Sequence, residues 1–99
     1  MAGVSFIGDE IAAAGFRLSG ARARVPAPGT ETAVLRDEIA RAALVIVSRA
    51  VAERVEAREL AQALASPSPL LVVLPDAAGL PPELDVAARV RLQLGIGGT

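Results

Sequence analysis

At 99 residues the chain has room for one domain with a single core, and a hydrophobic fraction of 53% favours a packed fold over disorder. Cys, His, Tyr, Trp and Lys are all absent and the ten basic residues are all Arg, which excludes disulfides, thiolate chemistry and metal sites of the His/Cys kind. The net charge of -1 argues against a nucleic-acid surface, and no uninterrupted apolar run approaches the ~20 residues that span a bilayer. The start of the chain carries no basic n-region before an apolar stretch, so secretion is not expected.

The first element is a buried strand over residues 4–7, a short apolar run that ends at Gly8 and the carboxylates Asp9 and Glu10. An alanine-rich helix follows over 9–18, with its two acids in the first turn, where the helix dipole favours them. Ser19-Gly20 is its stop. Residues 21–25 alternate, with Ala21, Ala23 and Val25 on one side and Arg22 and Arg24 on the other. That pattern suits a half-exposed edge strand whose charges discourage edge-to-edge pairing.

A stiff loop, Val25-Pro26-Ala27-Pro28-Gly29, leads to a helix capped by Thr30 or Thr32 and running to about residue 42. Val34, Leu35, Ile39 and Ala42 share one face of it, and Asp37 and Arg41 form an i,i+4 pair on another. The apolar runs 44–47 and 70–74 are strands, and their unbroken apolarity predicts burial on both faces of a parallel sheet. Between them one helix is expected over 51–64, with Val51, Val55, Leu60 and Leu64 on a stripe. Ser66-Pro67-Ser68-Pro69 ends it. After Pro75 come a Pro- and Gly-rich loop over 76–82, a helix over 83–94 and a loose tail.

The chain therefore reads as α/β, a four-stranded parallel sheet of order 2-1-3-4 in a flavodoxin-like, three-layer domain. Residues 1–75 form the sheet core, and 76–99 a hinge-like loop, the C-terminal helix and the tail.

Chemistry-bearing motifs are few. Gly8-Asp9-Glu10 and Ser48-Arg49 fall at the carboxyl ends of strands 1 and 3, the switch point where open α/β sheets bind ligands. Two carboxylates there could hold Mg²⁺, as in phosphoacceptor receiver domains, or could simply cap the first helix. Ser48 stands where the receiver's phosphoacceptor Asp would be, and no Lys is present to neutralise a phosphoryl group. Gly8 and Gly15 are too far apart for a dinucleotide turn, and no P-loop follows either. None of the five serines has a His or Lys to activate it. No catalytic residue, metal ligand or cofactor site is assigned, and an enzyme is not expected.

Two segments carry readings as protein-binding surfaces. Gly15 permits close approach of the first helix to the sheet, with Phe16 and Leu18 filling space in a small-residue core. The small residues Ala12, Ala13, Ala14 and Gly15 equally suit the reception of another helix. On the last helix, Val86, Val90, Leu94 and Ile96 either cover the sheet or, with Arg89 and Arg91 as ion-pair anchors, bind a partner.

Phe6-Ile7-Gly8-Asp9-Glu10 followed by Gly15-Phe16-Arg17-Leu18-Ser19-Gly20 resembles the amino terminus of the F subunit of the V/A-type rotary ATPases. Val45-Ile46-Val47-Ser48 is similar to that family's third strand, Leu71-Val72-Val73-Leu74-Pro75 to its fourth, and Val90-x-x-x-Leu94-Gly95-Ile96 to its closing helix. The resemblance implies a non-catalytic central-stalk component that sits on the coiled-coil D subunit, turns inside the catalytic headpiece, and couples or modulates ATP hydrolysis or synthesis with ion transport. It implies a cytoplasmic place, peripheral to the membrane through the complex. Phe16, Arg17, Leu18, Arg89, Val90, Arg91 and Leu94 are the expected partner-binding residues. The rival expectation is a receiver-like or small-ligand module using Asp9 and Glu10.

Overall fold

The computed structural model describes residues 3–75. Their order is β1 (Val4–Ile7), α1 (Glu10–Leu18), β2 (Arg22–Arg24), α2 (Glu31–Ile39), β3 (Leu44–Ser48), α3 (Arg49–Ala52), α4 (Ala57–Ala65) and β4 (Leu70–Leu74). The four strands make one sheet of order β2-β1-β3-β4, and every pairing is parallel. This is the expected α/β arrangement, with helices on both faces. The hinge-like loop over 76–82 and the helix over 83–94 lie outside the described residues.

Register divides the side chains between two faces. Phe6, Ala23, Ile46 and Val72 lie in one row, and Val4, Leu44 and Leu70 in another on the same face. α1 packs against β1 and β2 on this side, where the Phe16 ring stacks on Phe6 with centroids 4.4 Å apart. The opposite face carries Ser5, Ile7, Val45, Val47 and Leu71. All of these but Ser5 are apolar and join Val34 and Leu35 of α2, Val51 and Ala52 of α3, and Val55 in the main core. The unbroken apolar runs predict burial on both faces, but among the described residues β4 keeps apolar side chains exposed on one of them. Leu70 and Val72 remain 56% and 38% exposed, on the face where α1 packs mainly on β1 and β2, while Leu71 between them is buried.

The single helix expected over 51–64 is two helices. α3 ends after one turn, and the chain turns through Glu53 to Glu56 before α4 begins. Glu56 imposes the restart, since its carboxylate accepts from the backbone N–H groups of Arg58 and Glu59 while its own N–H donates to Thr32 Oγ1 at 2.9 Å. The break lets Val55 turn into the core, and it moves Leu64 off the expected stripe to half exposure. At the surface, Arg36 Nε donates to Glu59 Oε1 at 3.0 Å and Nη2 to Oε2 at 2.8 Å, a bidentate pair that ties α2 to α4.

α2 starts at Thr30, but the Thr30 hydroxyl donates to Ala27 O instead of capping. The Glu31 carboxylate accepts the Gly29 N–H at 2.9 Å. The helix ends at Ile39, short of the expected residue 42. The Asp37–Arg41 pair forms as expected, at 3.3 Å.

Candidate functional site

The switch point is built from two caps. Asp9 Oδ1 accepts the Ala12 N–H at 2.8 Å, so the carboxylate satisfies one of the orphan donors of α1. Ser48 Oγ accepts the Val51 N–H at 3.2 Å and does the same for α3. Glu10 is exposed in the first turn of α1. Gly8 is buried under the Phe6 ring, which occupies the space a side chain there would need. Among the described residues no group of three or more Asp or Glu side chains could hold a metal ion.

Among the described residues, a linked cluster of ion pairs lies elsewhere, between β2 and α2. Glu38 is fully buried. Its Oε1 accepts the Ser5 hydroxyl at 2.6 Å, and its Oε2 accepts Arg22 at 2.9 Å and Arg24 at 3.1 Å. Arg24 also donates to Asp37 at 2.6 Å, and Arg41 meets the other Asp37 oxygen. Burial disfavours the charged form of Glu38, but the Ser5 hydroxyl and the Arg24 and Arg22 guanidiniums outweigh it together. The carboxyl pKa is held below its ordinary range. The same hydrogen bond to Glu38, opposed by burial and aided by Asp37, raises Arg24 further.

The alternation in β2 thus has a second meaning. Arg22 and Arg24 stand half exposed on an edge strand, as the pattern predicts, and they also lean over the face that α2 covers and pair with its acids. The sequence pattern assigns Glu38 no role. The available signal is the pairing of an Arg-x-Arg strand with an Asp-Glu pair on the following helix.

Of the expected partner-binding residues, three fall on α1 and behave differently from one another. Phe16 is half buried and committed to Phe6. Leu18 does not fill the core, because at 67% exposure it points outward. Arg17 lies at the outer edge of β2, donating to Ala23 O at 3.0 Å. Arg89, Val90, Arg91 and Leu94 lie outside the described residues. Leu18 has companions beyond the expected set, the exposed Ile11 and Ala14. Their three- and four-residue spacing puts the three on one stripe of the helix, facing away from the sheet. No helix among the described residues is long and apolar enough to cross a membrane.

Compared with models of known protein families, with curated proteins and with solved structures, the chain matches none.

Proposed function

We propose that this protein is a non-catalytic binding component, seated on a coiled coil as the central-stalk F subunit of a V/A-type rotary ATPase is, and coupling or modulating ATP turnover with ion transport through that contact. The observation that carries the reading is the outward stripe Ile11, Ala14 and Leu18 on α1. Exposed apolar residues at such spacing, with a small residue between two large ones, fit the ridge of a second helix. The segments of the resemblance that fall among the described residues supply β1, α1, β3 and β4 in order, which supports the same reading. Against an active centre stands the use of Asp9 and Ser48 as helix caps.

The test is co-purification with the coiled-coil stalk partner, the D subunit of the same source. The wild-type chain is expected to associate. The Ile11→Glu, Leu18→Glu double variant should fold normally, because both side chains already meet water, and should lose association by about tenfold or more. Failure of the wild-type chain to associate at any salt concentration sinks the stalk assignment. The receiver-like alternative makes the opposite forecast for Mg²⁺. At millimolar Mg²⁺ the melting temperature should not move, and a clear rise would make Asp9 and Glu10 the functional centre instead.

A further inference from the structure

We propose that the outer edge of β2 is a docking edge for an extended, acidic segment of another protein, which joins the sheet as a fifth strand beside Arg22–Arg24. This goes beyond the stalk reading, which uses the outward stripe of α1.

Backbone direction makes the edge available. Arg24 O accepts the Gly8 N–H at 3.1 Å, so the peptide groups of Arg24 point toward β1. Strand alternation then turns those of Ala23 outward. Val25 continues the extended course, because a residue before proline is held out of the helical region. The strand is bordered by a cleft of about 610 Å³. Val25, Pro26, Ala33 and Val34 give the cleft an apolar wall, suited to one side chain of an incoming strand, and Arg17, Arg24 and Asp37 line it as well.

The edge is guarded, and the guard is exchangeable. Ala23 O is held by the exposed guanidinium of Arg17, and the Ala21 N–H by Phe16 O at 3.0 Å. An arriving strand can donate its own N–H to Ala23 O. The released Arg17 guanidinium, already exposed, returns to water, so no buried hydrogen-bonding group is left unpaired in the exchange. Charge selects the partner. Among the side chains bonded or paired at β2 and its α2 neighbours, Arg17, Arg22, Arg24 and Arg41 stand against Asp37 and Glu38, an excess of two positive charges. A second copy would bring the same excess to the contact and be repelled. An extended segment with carboxylates on alternate positions places them beside Arg22 and Arg24, which remain 51% and 39% exposed at the side chain. Backbone bonds supply affinity and alternate side chains supply specificity, as in other cases of strand addition. With so short an edge, binding belongs in the high-micromolar range.

The experiment uses the full chain and a short labelled peptide alternating valine and glutamate, followed by fluorescence anisotropy and by amide exchange. Saturable binding is expected, with exchange at Ala23 slowed several-fold. The lysine-for-glutamate peptide should not bind. Arg17→Glu should weaken the glutamate peptide about tenfold, since it replaces an attractive charge with a repulsive one at an exposed position. The uncharged Ile11→Ser, Leu18→Ser variant, which removes the apolar stripe without adding charge beside Arg17, should bind the peptide as the wild type does, which separates this edge from the stalk surface. Absence of saturable binding overturns the proposal. So does protection of β4 in place of β2, an unchanged affinity in Arg17→Glu, or equal competition by a single-stranded oligonucleotide.

Discussion

At the scale of single residues, Glu38 is a group whose chemistry differs between folded and unfolded chain. Its pKa is depressed in the folded protein. The stability it contributes is therefore present above the ordinary glutamate range and is lost as pH falls through the folded value. Glu38→Gln keeps the shape and removes the charge. It should cost about 1.5–3 kcal/mol at pH 7, the usual worth of hydrogen bonds to a charged group. In urea melts at stepwise lower pH the gap between variant and wild type should close, because the wild-type carboxyl becomes neutral as well. A gap that stays constant to pH 3 would mean that the charge on Glu38 does not support the fold. Gly8 poses a steric question instead. A methyl group there would overlap the Phe6 ring, and that ring is 1% exposed and stacked on Phe16, so it has little room to yield. Gly8→Ala should cost about 1–3 kcal/mol, the usual range for overpacking. The same substitution in a Phe6→Leu background should cost less, and the shortfall in additivity measures the contact. Equal costs in both backgrounds would show that the ring is not what Gly8 accommodates.

At the scale of elements, the boundary between α3 and α4 separates what periodicity reveals from what it hides. Val51, Val55 and Leu60 are spaced closely enough to a helical repeat that one helix is the natural reading of 51–64. The break is enforced by Glu56, whose carboxylate caps forward and whose N–H is taken by Thr32 from another helix. That second bond is tertiary, so no window of local sequence contains it. Loss of the cap in Glu56→Ala should cost about 1 kcal/mol, read from the denaturation midpoint. Thr32→Val should also destabilise, by leaving the Glu56 N–H without its acceptor. If neither variant shifts the midpoint, the break is set by Val55 burial alone. The strands and their order were legible because short, β-branched, uncharged runs have few alternatives, and because the alternation at Arg22 and Arg24 demanded an edge. The Arg22–Glu38–Arg24 cluster was not legible. Glu38 sits in a helix whose visible pattern is the apolar set Val34, Leu35 and Ile39 beside the Asp37–Arg41 pair. A glutamate there looks solvated until the register sets Ser5 and Arg22 beneath it. For the partner-binding residues, the pattern points to a helix with an exposed apolar stripe. Which of its turns face outward depends on how α1 docks on β1 and β2, so the expected set holds Leu18 without Ile11.

At the scale of the molecule, the two faces of the sheet differ in what they ask of the chain. The face under α2, α3 and α4 is a closed core with an ion cluster around the buried Glu38 at its β2 end. The face with α1 keeps apolar residues in water, Leu70 and Val72 on β4 and Ile11 and Leu18 on the helix. A sheet of this kind should respond to mutation with a period of two along β4. Leu71→Ala removes a side chain 6% exposed and should cost about 2–5 kcal/mol, the range for core truncations. Leu70→Thr, one residue away, should fall within about 0.5 kcal/mol, as surface changes do. The comparison is made on the free chain by chemical denaturation, then repeated with the coiled-coil partner present. If the α1-side face takes part in the stalk contact, Leu70→Thr becomes costly only in the second measurement, as a loss of the extra stability that binding confers. A large effect in the free chain would mean that Leu70 is already covered before any partner arrives. The exposed stripe of α1 would then have to support the stalk contact without it.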